Sequence, residues 1–265
     1  MKNKEVYERP QYALASVDHA LRLIQILRDT GEARLSDIAR ELGTSASTAH
    51  RLLAMLVYRG FAVQNESRAY SPGPALGVGP SNAPWTRQLK NLLLPHLELL
   101  SGRIDETVSL MFRVGGRVRF LASVEGSHVV RVGERTGTVL DARRASGGRA
   151  MLAELDRSEL ERLYRSPSAR LAGDFMEERE FSQLVSSLER IRQIGYALNR
   201  EETERGVWAV GTAIHDSASN LIASFAVSVP AVRSQFLVAP RTIALIGAAR
   251  EEMEARLRAA AFVVS

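Results

Sequence analysis

The 265-residue chain contains no cysteine. This absence excludes disulfides, thiolate metal sites and cysteine nucleophiles. No apolar run approaches the ~20 residues that a membrane-spanning helix needs. The opening residues, MKNKEVYERPQY, contain no apolar segment of the signal-peptide kind. We therefore expect a cytoplasmic protein that does not use a membrane.

Catalytic signatures are missing as well. The five histidines are scattered, without the HExxH spacing of a metal site. No G-x-S-x-G, P-loop or Rossmann glycine pattern occurs. The run His215-Asp216-Ser217 has the residue types of a catalytic triad, but neighbours in one turn cannot converge on each other as nucleophile, base and orienter. The sequence predicts no enzyme, no metal and no cofactor.

The net charge of the chain does not show whether the protein binds nucleic acid. The formal net charge is +5 at pH 7, which is compatible with binding to nucleic acid. Residues 1–80, however, hold ten Lys and Arg against eight Asp and Glu. The 45% of hydrophobic residues can supply the cores of two ordinary domains.

The strongest functional signal is LSDIARELGTSASTAHRLLAMLVYRGF, from Leu35 to Phe61. It predicts two short helices separated at Gly43, where a sharp turn needs a residue without Cβ restrictions. Each helix has one apolar stripe at i, i+3, i+4, i+7: Leu35, Ile38, Ala39 and Leu42 in the first, and Ala49, Leu52, Leu53 and Leu56 in the second.

The outer face of the second helix is polar and basic. At about 100° per residue, Thr44, Ser47, Arg51 and Tyr58 point away from the Ala49 stripe, while Thr48 and His50 lie on the flanks. A helix-turn-helix needs such a face, because its second helix enters the major groove of DNA. An ordinary helical hairpin in a bundle has the same spacing, and the spacing alone leaves the two interpretations at even odds.

The flanking segments favour the DNA-binding interpretation. Ser16 is the expected N-cap of a preceding helix that ends near Gly31, with an apolar stripe of Val17, Ala20, Leu21, Ile24 and Leu27. After Phe61, two short runs around Asn65-Glu66-Ser67-Arg68 predict a β-hairpin, the wing of a winged helix. The predicted DNA contacts are Thr44, Ser47, Thr48, His50, Arg51 and Arg68, of which Ser47, Thr48 and Arg51 would reach the groove.

A breaker-rich stretch from Pro72 to Pro84 predicts the domain boundary. We expect a DNA-binding domain at residues 1–79 and a second domain at residues 80–265. The second domain opens with a leucine seam that contains Pro95, which predicts a kinked helix or two short ones. The seam consists of Leu89, Leu92, Leu93, Leu97 and Leu100, and it suits either a docking helix or a dimer contact.

The rest of the chain predicts an α+β domain with a central antiparallel sheet. Strands are expected at Thr107–Phe112, Val118–Val124, His128–Val132, Val207–Ile214 and Leu221–Val229. Helices are expected at residues 147–164, 177–194 and 243–257. On the last strand, Ala223, Phe225, Val227 and Val229 alternate with the small residues Ser224, Ala226 and Ser228. The small face either leaves room for a ligand or faces solvent.

With these segments placed, the chain resembles the isocitrate lyase regulator (IclR) family of bacterial transcription factors. The resemblance rests on SVDHALRLIQIL, STAHRLLAMLVYRGF and AYSPGPALG in the first domain, and on ETVSL, RRASGGRAMLA, GYALNREE, GVWAVGTAI and SFAVSVP in the second. It implies a winged helix-turn-helix, a linker helix and a GAF-like effector-binding domain, assembled as a homodimer or homotetramer on a palindromic operator.

The resemblance also implies an effector pocket. Ser146, Gly147 and Gly148 match the loop and helix start that close on the effector, where free N–H groups suit an anion. Further pocket positions are Asn199 after GYAL, Ala209 and Ala226, where some members have polar residues, and Ser228.

These residues lead to one functional hypothesis and two alternatives. The pocket predicts a larger, partly apolar carboxylate such as an aromatic acid, with Arg143 or Arg144 at the rim as counter-charge, unless both arginines face solvent. The protein is then a ligand-responsive regulator, a repressor of a catabolic operon. The alternatives are a small-molecule-binding enzyme or sensor whose helical N-terminus only dimerises, and a protein-interaction module that docks through the winged helix.

Overall fold

The computed structural model describes residues 12–65, 68–73 and 84–263. The chain divides into two compact units between Gly79 and Pro80, and each unit has its own hydrophobic core. The predicted N-terminal tail, the hairpin tip Glu66-Ser67 and residues 74–83 of the predicted linker lie outside the described residues.

The first unit contains three helices and a two-stranded antiparallel hairpin. Its elements are α1 (Ala15–Thr30), α2 (Leu35–Leu42), α3 (Ala46–Tyr58), β1 (Ala62–Gln64) and β2 (Tyr70–Pro72). Gly43 ends α2 in the left-handed conformation, with φ of 64°, as the turn requires. Both predicted stripes are confirmed, because their central members are buried: Ile38, Ala39 and Leu42 in α2, and Ala49, Leu53 and Leu56 in α3. The predicted hairpin is confirmed by the pairing of β1 with β2.

Helix α1 differs from the prediction at its start and in its buried face. It begins at Ala15, after Leu14, without a side-chain cap, so the assignment of Ser16 as N-cap was wrong. Val17 and Leu21 are 49% and 57% exposed, although they belong to the predicted stripe. The sequence of α1 offers two overlapping apolar stripes, and packing against α3 and β2 selects the other one. The buried residues are Leu23, Ile26 and Leu27.

The second unit is an antiparallel six-stranded sheet in the order β5-β4-β3-β8-β7-β6. The strands are β3 (Thr107–Val114), β4 (Arg117–Val124), β5 (Val139–Asp141), β6 (Ala197–Arg200), β7 (Val207–His215) and β8 (Leu221–Pro230). The helices are α4 (Pro84–Ile104), α5 (Ser146–Ala153), α6 (Arg157–Tyr164), α7 (Pro167–Ala172), α8 (Glu178–Ile194), α9 (Ser234–Leu237) and α10 (Pro240–Ala259). Helices α5 and α8 pack together on the sheet, as do α4 and α10. The predicted α+β fold with an antiparallel sheet is confirmed.

Helix α4 runs through Pro95 as one continuous helix. The predicted alternative of two short helices is therefore wrong. A proline inside a helix costs about 3 kcal/mol, whereas each fully buried leucine contributes about 1.5–3 kcal/mol. Four leucines of the predicted seam have at most 1% of their surface exposed. Their burial outweighs the proline. They are Leu89, Leu93, Leu97 and Leu100.

The predicted strand at His128–Val132 is wrong, because this segment is a loop. Val129 and Val130 are 96% and 65% exposed. Hydrogen bonds from side chains hold this loop in place, where a strand would have backbone hydrogen bonds to a neighbouring strand. The Ser127 N–H donates to Asp105 Oδ1 at 2.6 Å, and the Arg233 guanidinium donates to the Val130 carbonyl at 2.9 Å. These bonds override the β propensity of two valines.

The predicted helix at residues 147–164 is two helices. Helix α5 ends at Ala153, and Asp156 starts α6 with a capping box, in which its side chain accepts from the Glu159 N–H at 2.8 Å. The carboxylate of Glu159 returns the bond to the Asp156 N–H at 3.0 Å. Such a cap favours a new helix start over continuation. The short elements β5, β6, α7 and α9 were not predicted.

Both faces of β8 are buried, so its small face does not look into solvent. Ser224, Ala226 and Ser228 are 0%, 3% and 7% exposed. A Cβ added to Gly147 of α5 would lie 2.6 Å from Ser224 Oγ. The small side chains of β8 therefore let α5 approach the sheet closely.

Candidate functional sites

The outward face of α3 presents Ser47 and Arg51 to solvent. Neither side chain has a hydrogen-bond or ion-pair partner within the described ranges. The start of α3 is fixed by Ser45, whose hydroxyl accepts the Thr48 N–H at 3.1 Å, a cap that contributes about 1 kcal/mol. With 13 residues, α3 is about 20 Å long and can lie along a DNA groove.

The other residues predicted to contact DNA at α3 differ in their exposure and in their hydrogen bonds within the protein. His50 is exposed, and Thr44 is half-buried. Thr48 is exposed, but its hydroxyl lies 3.0 Å from the Ser45 hydroxyl. Thr48 therefore shares its hydrogen-bonding capacity with the helix cap, and of the three predicted groove readers Ser47 and Arg51 are the more available.

The hairpin and α3 share an open groove of about 670 Å³. His50 of α3 and the predicted wing residue Arg68 both line it. Arg68 has a φ of 61°, and the turn is closed by the Asn65 side chain, which accepts the Ala69 N–H at 2.9 Å. Arg34, which directly precedes α2, also lines the groove. The sequence reasoning missed Arg34, since it belongs to neither α3 nor the hairpin.

The second unit contains a small, partly open cavity between α5 and the sheet. Six of the seven predicted effector-binding residues line this cavity: Ser146, Gly147, Asn199, Ala209, Ala226 and Ser228. Its apolar lining comes from Met111, Phe120 and Leu140. The free space is only about 20 Å³, room for about one water molecule. A ligand larger than water must open the cavity.

Two glycines explain how α5 comes so close to the sheet. A Cβ on Gly211 of β7 would lie 2.3 Å from the Gly147 nitrogen, and a Cβ on Gly147 would lie 2.5 Å from Met111 Sδ. At Gly211 a Cβ would meet backbone atoms, so only glycine fits there, whereas at Gly147 the Met111 and Ser224 side chains would have to shift. The first turn of α5, whose N–H groups have no intrahelical acceptors, is thereby brought to the cavity wall.

Gly148 has a different role from the one predicted. It does not line the cavity, and a Cβ there would lie 2.4 Å from the Ala142 carbonyl oxygen. Gly148 therefore lets α5 pack against the strand-to-helix connection before it.

The polar lining of the cavity is well defined. Asn199 is 1% exposed and donates to the Arg144 carbonyl at 2.6 Å and to Thr203 Oγ1 at 3.2 Å. Its Oδ1 accepts the Glu202 N–H at 3.2 Å. Ser228 has no hydrogen-bond partner for its hydroxyl in the part of the chain that the structure describes. Asn199 thus organises the loop after β6, whereas the Ser228 hydroxyl is available to a ligand.

The cationic group at the cavity is Arg135, which the sequence reasoning missed. Neither Arg143 nor Arg144, the two arginines expected at the rim, is among the residues that line the cavity. Arg143 is bound to Asp141 at 2.6 Å and lies 5.4 Å from the Tyr164 ring centroid. That bond to Arg143 holds the Asp141 pKa below its usual value against the effect of burial. Arg144 is exposed, which matches the solvent-facing alternative.

The chain matches two domain models in sequence. Residues 16–66 match the IclR helix-turn-helix domain, and residues 86–261 match the C-terminal domain of bacterial IclR transcriptional regulators. The chain belongs to the IclR family. It is thus a DNA-binding transcriptional regulator with an effector-binding C-terminal domain, and the alternative of an enzyme is wrong.

Individual IclR proteins resemble the chain along most of its length. The regulator BhcR of Paracoccus denitrificans is 31% identical over 241 residues, covering 90% of this chain and 86% of that protein. The repressor AllR of Salmonella typhi is 26% identical over 228 residues, covering 84% and 82%. An IclR homolog of Microbacterium hydrocarbonoxydans, solved in complex with 4-hydroxybenzoate, has the same fold, with a TM-score of 0.57 at 21% identity and coverage of 92% and 98%.

Within the described ranges, no three His, Asp or Glu side chains come together as a metal site would require. No helix in those ranges is both long and apolar enough to cross a membrane.

Proposed function

We propose that this protein is a cytoplasmic repressor of a catabolic operon, which binds a palindromic operator as a homodimer or homotetramer and releases it in response to an organic acid. The observation that carries the DNA-binding part is the exposed polar face of α3, where Ser47 and Arg51 have no protein partner among the described residues. Two copies of α3 in a symmetric dimer would match two operator half-sites. The repressor assignment draws on relatives such as AllR.

The predicted DNA-contacting residues divide into readers, which would contact base edges, and residues that would contact phosphates. Ser47 and Arg51 lie where α3 would contact base edges, and Arg is the commonest partner of guanine. Thr48 is the third reader. His50 and Arg68 face the shared groove with Arg34, which suits contacts to phosphates. Thr44, at the start of the turn into α3, would add a phosphate contact.

Replacing Arg51 by Ala should weaken specific operator binding by about 1–3 kcal/mol. The assay is a gel-shift titration against the intergenic DNA beside the gene, together with a scrambled duplex of equal length. The matched control is Arg40→Ala, because Arg40 is exposed but is paired with Asp37 at 2.7 Å on α2. Unchanged affinity of the Arg51→Ala protein for the operator would refute its role.

The salt dependence of binding tests the DNA-binding proposal as a whole. A regulator that neutralises phosphates loses affinity steeply as salt rises, because binding releases counterions. A protein that uses its N-terminal unit only for dimerisation or protein docking would show no such slope.

The effector part rests on the cavity beneath α5. Its lining combines Met111, Phe120 and Leu140 with the Ser228 hydroxyl and the Arg135 guanidinium, a set that suits a partly apolar carboxylate such as an aromatic acid. A homolog that was solved with 4-hydroxybenzoate supports this class. Calorimetric titration with glyoxylate, pyruvate, benzoate and 4-hydroxybenzoate tests it. Binding of the small acids without binding of an aromatic one would exclude the proposal.

A further inference from the structure

Arg135, which lines the cavity, makes a charged contact that no DNA-binding role explains. The guanidinium of Arg135, in the loop between β4 and β5, donates to the carboxylate of Glu204, in the loop between β6 and β7. The Arg135 side chain is 17% exposed and the Glu204 side chain 55%. Arg135 therefore lies in the wall of the cavity, while its partner Glu204 lies beside the cavity and is mostly exposed to solvent.

Arg135 is fixed by its backbone. Its N–H donates to Ser123 Oγ at 3.3 Å, and its carbonyl accepts the Thr138 N–H at 2.8 Å. The same turn is bound to β4, because the Gly137 N–H donates to the Phe120 carbonyl at 2.9 Å. A guanidinium on such a turn is a preorganised site for a carboxylate.

Glu204 lies at the tip of a loop that is held at its base. Asn199 bonds the start of this loop, and the Gly206 N–H donates to Glu201 Oε2 at 2.8 Å. Since Glu204 is mostly exposed, its carboxylate can return to water at little cost, because exposed ion pairs stabilise a protein only weakly. A buried carboxylate in its place would be far harder to displace.

We propose that Glu204 and the effector's carboxylate compete for Arg135, and that an organic monocarboxylate binds by displacing Glu204 from Arg135. This inference rests on the proposed effector pocket. It adds Arg135 as the residue that determines specificity and Glu204 as the group that the ligand displaces. Arg135 then selects for a carboxylate, and the Ser228 hydroxyl, 7% exposed and unpartnered within the described ranges, supplies a second polar contact.

The size of the cavity requires a displacement of this kind. With about 20 Å³ of free space, the cavity admits no acid until part of its wall moves. The first turn of α5 is packed tightly against β7 by the close approach of Gly147 to Gly211. The Glu204 loop is the part of the wall that a ligand can push outward by exchanging one carboxylate for another.

The test compares three full-length variants by calorimetric titration with benzoate, 4-hydroxybenzoate, glyoxylate and pyruvate, and with neutral benzamide. Glu204→Gln removes the competing charge, and at least one acid should bind several-fold tighter than to the wild type, up to about fivefold. Arg135→Gln should bind the same acid roughly tenfold weaker or worse. Benzamide binding should not change between the two. The matched control is Glu178→Gln, since Glu178 is 67% exposed and bound to Arg165 at 3.0 Å, outside the cavity.

Three outcomes would overturn the proposal: equal acid affinities of Glu204→Gln and the wild type, equal affinities of Arg135→Gln and the wild type, or no acid binding to Glu204→Gln at all. The gain expected for Glu204→Gln cannot arise from misfolding. Gel shifts without acid separate this result from the proposed function, because all three variants should bind the operator as the wild type does. Failure of the wild type to bind DNA would refute the repressor and leave the acid titrations valid.

Discussion

His215 lies at the end of β7, and its protonation should have a clear effect on the free energy of unfolding of the effector-binding unit. Its Nε2 lies 3.8 Å from Glu154 Oε2, just after α5, and its Nδ1 lies 2.9 Å from Glu254 Oε1 on α10. The carboxylates of Glu154 and Glu254 raise the pKa of His215 from 6.5 to about 9. The imidazolium ties together three elements that meet at this end of the sheet.

The size and the sign of the effect follow from the two pKa values. A folded-state pKa above the unfolded value means that the charged imidazole favours the folded protein. The contribution is complete below about pH 6.5 and is lost as the pH rises to about 9. One pKa unit is about 1.36 kcal/mol, so the pH-dependent part amounts to about 3 kcal/mol.

Urea unfolding of the wild type and of His215→Gln at several pH values between 6 and 10 measures this contribution. The difference in unfolding free energy between the two proteins should shrink by about 3 kcal/mol across that range. The three lysines and six tyrosines of the chain also titrate near the upper end of this range, but both proteins share them, so the difference between the proteins cancels their effect. A difference that stays constant from pH 6 to pH 10 would refute the reasoning.

Two further predictions concern the elements around the pocket. Gly211→Ala should cost about 2 kcal/mol or more in thermal unfolding, because its Cβ would lie 2.3 Å from the Gly147 nitrogen. Gly247→Ala in α10, where a Cβ meets nothing within 4 Å, should be neutral or stabilising by up to about 1 kcal/mol, and equal effects of the two would contradict the packing argument. Asp156→Ala removes the capping box of α6 and should cost about 1 kcal/mol in urea unfolding. No loss of stability there would show that packing alone sets the start of α6.

The sequence predicted the first unit well because its signals are local. The stripes of α2 and α3 repeat at helical spacing, and Gly43 marks the turn between them. Helix α1 shows where periodicity fails: Val17, Leu21 and Leu27 form as good a stripe as Leu23 and Ile26 with Leu27. Only the contacts with α3 and β2 decide which side is buried, and those contacts are not local in sequence.

The two main errors in the second unit have different causes, one non-local and one local. His128–Val132 has strand-like composition, but the bonds that hold it as a loop come from Asp105 and Arg233, which lie on either side of it at long range. The break between α5 and α6 had a local sign that was overlooked, since Asp156 and Glu159 have the spacing of a capping box.

The pocket shows the same division between local and non-local information. Ser146, Gly147 and Asn199 lie in recognisable motifs, so a resemblance can point to them, whereas their contact with an effector stays a prediction. Arg135 lies in no such motif. It reaches the cavity because the turn at Gly137 is bonded to Phe120 of β4, which places the residues just before β5 beside a loop about 70 residues further along the chain. The order of the strands in the sheet determines which loop, and therefore which arginine, lies at the cavity. For that reason the chain's many other arginines, Arg143 and Arg144 among them, were indistinguishable from Arg135 until the strand order was known.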